Sequence, residues 1–354
     1  MRMAFAEKLF GSGELDAEWR KAVEVVPRHL LVPFFYRQDG AVEWRRVRAE
    51  DPGFLAAVYS DTALTTQVID GVPTSSSSQP SLMLQMLGAL DVRDGDRVLE
   101  IATGTGYNAA LLSERLGSDQ VCTVEVDREL ARVARARLGE CGYEPVVLAG
   151  DGRQGLADRA PYDRLIATCG FTSVPPAWIA QVRSGGIIVC PLGVGNARLV
   201  VGGDGRAEGR FLPGGSFFMG VRSEGGNARI PYPGDPEEAV SRETPLACLD
   251  GEGDGLQFVL SLVLPDSAWA HEVDADGART GCRLWARDGS WAHVQGGEVR
   301  QAGPRRLWDV VERANEWWEG QGHPERERFG VTATEFRTGW WLDSPGNAVP
   351  DMGA

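Results

Sequence analysis

Residues Val98-Leu-Glu-Ile-Ala-Thr-Gly-Thr-Gly106 run from a short apolar strand straight into a glycine-rich turn. A second apolar strand, Gln120-Val-Cys-Thr-Val-Glu-Val-Asp127, follows and carries an acid, Glu125, near its end. Strand, glycine turn, helix and acid-tipped strand make up a βαβ unit whose first turn lets a nucleotide-like ligand approach the backbone. Glu125 is placed to accept hydrogen bonds from two ribose hydroxyls.

The same unit serves dinucleotides and S-adenosylmethionine, and the details separate them. A dinucleotide site wants G-x-G-x-x-G, with a third glycine that lets the helix press on the strand. This chain has Glu100, Ala102, Gly104 and Gly106, with Ala109 where the third glycine would stand. An acid beside the turn would repel a pyrophosphate, whereas a sulfonium carrying an α-amino group benefits from it. The pattern resembles the first motif of class I S-adenosylmethionine-dependent methyltransferases. Ala102 departs from it, standing where glycine is usual, and a positive φ there would carry strain.

Composition narrows the class. Hydrophobic content of 43% and charged content of 24% are those of a folded protein. A formal net charge of −14 without a basic stripe argues against nucleic-acid partners. The N-terminus has no apolar stretch of signal-peptide length and no run approaches a membrane span, so a cytoplasmic location without membrane association is expected. Cysteines 122, 141, 169, 190, 248 and 282 form no C-x-x-C pair and read as small core residues; with only four histidines, no metal site is expected.

The periodicities give the organisation. A helical stretch is expected over about 14–25, then an irregular segment to about 57 and a serine-rich loop, Pro73 to Pro80. Ser81 is read as the cap of a helix over about 81–90. Strands near 97–101, 120–126, 145–149, 162–168 and 186–191 alternate with helices, which predicts a Rossmann-like, doubly wound, mostly parallel α/β sheet. Short strands over 197–203 and 208–220 close it, and Gly225-Gly226 with Pro231 to Pro236 reads as a linker. Three regions result: 1–80, with the N-terminal segment and substrate loop; 81–222, the cofactor-binding core; and 223–354, a C-terminal α+β domain holding eight of the eleven tryptophans. In that domain Gln257 to Leu264 and Cys282 to Arg287 read as strands, 304–319 as a helix, and Phe329 to Thr334 with Gly339 to Leu342 as a final hairpin. Its aromatics fill a small core or line a groove for a peptide.

From about residue 15 to 220 the chain resembles the protein-L-isoaspartate O-methyltransferase family. The resemblance is carried by Val26-Pro-Arg-His with Val32-Pro33, Tyr59-Ser-Asp61, Thr74-Ser with Ser78-Gln-Pro80, the glycine turn through Asn108, Gly150-Asp-Gly-Arg-Gln-Gly155, Pro161-Tyr-Asp163, and the segments from Pro175 to Gly193. It implies S-adenosyl-L-methionine as cofactor, held by Glu100, Ala102, Thr103, Gly104, Gly106, Tyr107, Asn108, Glu125, Val126, Asp151, Gly152 and Thr168. It implies a peptide or protein partner bearing an aspartyl or isoaspartyl residue, with Ser78 and Ser76 at the reacting carboxylate and Tyr59, Asp61, Ser77 and Gln79 binding substrate.

An aspartyl carboxylate has a pKa of about 4 and is ionised at neutral pH, so methylation needs placement and desolvation rather than a general base. Thr168-Cys-Gly170 replaces the Asn-Pro-Pro-aromatic signature of amine methyltransferases, which disfavours nitrogen substrates. Three features depart from the family: the run of four serines from Ser75 to Ser78, the segment Gly214 to Gly220 where an apolar closure is usual, and the long extension beyond 220. Extended relatives resemble enzymes that methylate one aspartate of a ribosomally made peptide, whose ester then closes to a succinimide (aspartimide). Three readings follow: peptide tailoring, repair of isoaspartyl sites in damaged proteins, and a cofactor-binding protein that methylates an unrelated small acid or nothing.

Overall fold

The computed structural model describes residues 1–11, 13, 15–40, 43–222, 230–246 and 254–353. The expected linker glycines Gly225 and Gly226, the first residue of the expected N-terminal helix and Cys248 lie outside them. Helices α1 (Arg2–Phe10), α2 (Arg20–Val25) and α3 (Arg28–Leu31) open the chain. The segment expected to be irregular is a hairpin, β1 (Phe34–Asp39) and β2 (Glu43–Arg48), followed by the short α4 (Phe54–Val58). Next come β3 (Leu64–Ile69) and β4 (Val72–Ser77), completing a four-stranded antiparallel sheet ordered β2-β1-β3-β4.

The serine run is therefore an edge strand rather than a loop. Asp70 and Gly71 both hold positive φ, 50° and 75°, which is the turn chemistry of a tight hairpin between β3 and β4. Period-2 alternation does the rest: Ser75 and Ser77 are buried, whereas Ser76 and Ser78 face the other way and are half-buried.

Helix α5 (Pro80–Leu90) begins one residue earlier than expected, with Pro80 in its first turn. Ser81 is not its cap. Its backbone N–H instead donates to Asp61 Oδ1 at 2.8 Å, so a carboxylate from a distant segment sits at the positive end of the helix. The alternating pattern then appears as expected: β5 (Val98–Ile101), α6 (Tyr107–Leu116), β6 (Val121–Glu125), α7 (Arg128–Glu140), β7 (Val146–Ala149), β8 (Tyr162–Ala167), α8 (Pro176–Gln181) and β9 (Val182–Leu192). β10 (Gly195–Val201) and β11 (Ala207–Phe211) follow, and 212–220, expected as part of a strand, is irregular.

The remaining chain comprises β12 (Val240–Glu243), α9 (Asp254–Val263), β13 (Ser267–Val273), β14 (Arg279–Ala286), β15 (Trp291–Gln295), β16 (Glu298–Ala302), α10 (Leu307–Gly320), β17 (Phe329–Ala333) and β18 (Thr338–Leu342). The apolar run Gln257 to Leu264, expected as a strand, falls in helix α9, because a continuous apolar stretch does not distinguish a buried strand from a buried helix. Strands β12 to β16 form a five-stranded antiparallel sheet.

The expected division at 222/223 does not separate two cores. The main sheet is nine-stranded, ordered β18-β17-β11-β10-β9-β8-β5-β6-β7, and its last two strands come from the C-terminal region. Pairing is parallel from β7 through β9 and antiparallel from β9 outward. One face packs on α1, α2, α5 and α6 through residues such as Phe5, Val23, Met86 and Leu111. The other packs on α8, α9 and α10, where Trp178, Phe258, Trp308 and Val311 join Leu165, Ile188 and Phe329 in one continuous core. Eight tryptophans of the C-terminal region are buried or half-buried, and none is exposed. No described helix is long and apolar enough to cross a membrane.

Candidate active site

Strands β6 and β7 lie on one side of β5, and β8 and β9 on the other. The strand order thus reverses between the parallel strands β5 and β8, and the crevice beyond their carboxyl ends is where ligands bind in such sheets. A cavity of about 380 Å³ opens there. Three elements enclose it: the turn after β5, the serine strand β4, and the segment Gly215 to Arg222.

The turn is built as its sequence implied. Ala102 adopts φ 74°, the strained conformation expected of an alanine in a glycine's place, and its N–H is tied to Val124 O at 2.8 Å. Gly104 (φ 54°) passes close under the serine strand: a Cβ there would lie 3.6 Å from the Ser76 carbonyl oxygen and 3.8 Å from Ser75 Oγ. Gly106 (φ 85°) does not line the cavity. It caps α6, and a Cβ there would come within 3.1 Å of Leu138, so its role is close packing. Thr168, at the end of β8, donates to Ala102 O at 2.8 Å and fixes the turn from the other side.

Two buried acids set the electrostatics. Glu125, 4% exposed, accepts from the N–H groups of Gly104 at 2.9 Å and Asp127 at 3.1 Å, and burial raises its pKa. Glu100 is 1% exposed, and burial pushes its pKa up to about 7, against the opposing hydrogen bonds of Thr123 and Asn108. Asn108 Nδ2 donates to Glu100 Oε1 at 2.8 Å, while Glu100 Oε2 and Asn108 Oδ1 are buried without partners. An unpartnered carboxylate oxygen beside a cavity fits a cationic ligand group, since leaving it unsatisfied is costly. Gly152, below Ile101, has no room for a Cβ, and Trp178 Nε1 fixes its carbonyl at 2.8 Å. The donor set, the acid at the ribose position and these close backbone approaches fit an S-adenosylmethionine-sized ligand.

Ser76, Ser77, Ser78, Gln79, Tyr107, Asn108, Thr103 and Val126 line the cavity together with Glu100, Ala102, Gly104, Glu125, Gly152 and Thr168. Besides Gly106, three expected residues do not. Tyr59 hydrogen-bonds His29 at 2.7 Å and packs edge-on against Phe5, in a separate hollow. Asp61 caps α5 and holds Gln79 Nε2 at 3.1 Å. Asp151 adjoins Gly152 but folds onto Arg153, whose guanidinium binds both of its oxygens.

Sequence reasoning missed Arg28. It is fully buried, and its guanidinium donates to the carbonyls of Val58, Ser60, Thr62 and Ser78 and to Ser77 Oγ. This cation behind the serine strand joins β4 to the 58–62 segment, and burial lowers its pKa. A second tie is Gln67, which receives Thr74 Oγ1 and donates to Asp127 Oδ2, linking the N-terminal sheet to the β6 loop. Arg222 is the one basic residue among the described residues lining the cavity.

The chain is similar to known proteins over this region. The family model described as Protein-L-isoaspartate(D-aspartate) O-methyltransferase (PCMT) matches residues 45–211. Protein-L-isoaspartate O-methyltransferase 1 of Archaeoglobus fulgidus is 35% identical over 194 residues, 54% of this chain and 79% of the relative. The protein-L-isoaspartate O-methyltransferase of Ignicoccus hospitalis is 44% identical over 177 residues, 49% of this chain and 73% of the relative. A solved structure named protein-L-isoaspartate O-methyltransferase shares the fold with a TM-score of 0.58 at 23% identity, covering 97% of this chain and 100% of that one. The chain belongs to the protein-L-isoaspartate(D-aspartate) O-methyltransferase family, whose members are S-adenosylmethionine-dependent carboxyl O-methyltransferases.

Proposed function

We propose that this enzyme methylates an aspartyl side-chain carboxylate in one dedicated, ribosomally made peptide, giving an ester that closes to an aspartimide. The observation that carries the carboxylate part is the approach of the serine strand to the Gly104 turn within one cavity. The hydroxyls of Ser76 and Ser78 make no hydrogen bond within the described protein, and both residues line the cavity, where they would donate to a carboxylate.

S-adenosylmethionine, when bound, supplies the methyl group. Glu125 would accept the ribose hydroxyls and Glu100 the α-ammonium, with Gly104 and Gly152 allowing close backbone approach. Ser76 and Ser78 would hold the substrate carboxylate in line without a fixed positive charge that would blunt it. The anionic carboxylate becomes a neutral ester as its O–C bond forms, so charge is lost in the reaction. Excluding water favours such a step, and Leu82, Met83, Val124 and Phe218 give the cavity its apolar wall. Ring closure then needs only attack by the following backbone nitrogen on the ester carbonyl, with methanol leaving.

Dedicated recognition is supported by the serine run and by a cavity wall, Gly215 to Arg222, built from this chain's own departure from the family pattern. The second reading is repair of isoaspartyl residues in damaged proteins, and the names of the relatives favour it. The extension does not decide between them, because a solved structure of that name aligns with nearly the whole chain. Methyl transfer to an isoaspartyl hexapeptide, its aspartyl counterpart and candidate precursor peptides tests the choice. Tailoring predicts poor turnover of generic isoaspartyl peptides and efficient turnover of one aspartyl precursor. Efficient turnover of isoaspartyl peptides in several sequence contexts would leave repair in its place.

A further inference from the structure

Phe217 is 69% exposed although it lines the cavity. Its neighbours in the chain are held firmly. Ser216 is 1% exposed; its N–H donates to Val194 O at 3.0 Å and its hydroxyl to Asn196 Oδ1 at 3.1 Å. On the other side Phe218 packs into the core, and Met219 O accepts from Gly170 N–H at 2.8 Å. Gln85 of α5 secures Pro213 O at 3.0 Å. A segment pinned at these points that turns one phenylalanine outward over a cavity forgoes apolar burial at that residue. Burial is recovered only when something lies against the ring.

The pinning leads back to the C-terminal region. Ser261 of α9 accepts from Val194 N–H at 3.1 Å and donates to Phe258 O at 2.7 Å. Phe258 is fully buried, and Gly193 leaves no room beside Ser261 for a Cβ. Val194 thus receives α9 on its N–H and Ser216 on its carbonyl, one residue from Phe217.

We infer that Phe217 is a specificity-determining residue that packs against an apolar side chain next to the reacting aspartyl residue, and that Ser261 positions it through Val194 and Ser216. This rests on the aspartyl-peptide reading above. The C-terminal region then acts on substrate choice by holding the cavity rim rather than by offering its tryptophans, which are buried or half-buried and lie outside the cavity lining.

The test uses the full-length protein and paired aspartyl and isoaspartyl hexapeptides carrying either leucine or glycine beside the reacting residue. Wild type should favour leucine. Phe217→Ala should raise KM for the leucine peptides about tenfold, with kcat within twofold and S-adenosylhomocysteine affinity unchanged, and should abolish the leucine preference. Phe217→Trp should restore it, and Ser261→Ala should reproduce the KM effect more weakly. Equal KM for wild type and Phe217→Ala would overturn the inference. Absence of methyl transfer by wild type to every peptide would instead count against the aspartyl reading. Calorimetric binding of the leucine peptide to protein saturated with S-adenosylhomocysteine would then decide: weaker binding by Phe217→Ala supports the role of the ring, and equal binding refutes it.

Discussion

The parallel core carries an addition at each end, and the two serve the cavity in different ways. The N-terminal sheet lends its edge strand directly, so that Ser75 and Ser76 pass over the glycine turn and Ser75 to Ser78 line the cavity. The described C-terminal region lends no lining residue. It adds two strands to the main sheet and two helices to one face of its core. In the proposed reading one addition touches substrate, and the other supports the core and the cavity rim. A region's size and aromatic content say little about which of these it does; its connection to the sheet says more.

The sharpest break of that comparison is removal of the C-terminal region. A chain ending at 222 would strip β17 from β11 and remove α9 and α10 from the core they share with Leu199, Phe211 and Ile188. The expected outcome is complete loss of the cooperative thermal transition, followed by circular dichroism, together with all cofactor binding. A truncated chain that still melts cooperatively and binds S-adenosylhomocysteine would show the region to be dispensable for the core.

A smaller effect separates the cofactor side from the substrate side. Glu125→Ala removes a buried charged acceptor and should weaken S-adenosylhomocysteine binding by about 2–3 kcal/mol in calorimetry. Peptide KM at saturating cofactor should change little. An unchanged cofactor affinity would remove Glu125 from the ribose position.

The glycine turn was readable in sequence because strained backbone restricts residue type: Gly104 and Gly106 take positive φ, and Ala102 keeps it at some cost. Glu100 and Glu125 were equally readable, since a buried acid at the end of a strand has few structural uses. The serine strand was not. Four identical polar residues carry no apolar alternation, and only pairing with β3 reveals that Ser75 and Ser77 are buried. Arg28 escaped notice because arginine is seldom buried, and the carbonyls it serves lie thirty or more residues away in sequence. The run from Gln257 to Leu264 misled for the opposite reason: six of its eight residues are apolar, and a nearly continuous apolar stretch fits a buried strand as well as a buried helix.

A subtler prediction concerns pH. Glu100 binds its proton more tightly in the folded protein than in the unfolded chain, with a pKa near 7 against 4.5. Between those values the folded state holds the proton and the unfolded state does not, so this group's contribution to stability declines as pH rises through that window and is constant above it. Cofactor binding runs the other way. An ammonium prefers the ionised carboxylate, so S-adenosylhomocysteine affinity should rise with pH and level off above about 7. Glu125, also raised, adds to the slope. Glu100→Gln should flatten this profile; an unaltered profile would place the titration elsewhere.

In the proposed reading Ser76 and Ser78 present hydroxyls to the reacting carboxylate while the glycine turn holds the cofactor. Its most direct test is the rate of methyl transfer at saturating S-adenosylmethionine and peptide, compared between wild type, Ser76→Ala, Ser78→Ala and the double variant. Ser78→Ala should lower kcat more than tenfold, the double variant should be lower still, and S-adenosylhomocysteine affinity should be unchanged in all three. Wild-type kcat in the double variant would contradict it.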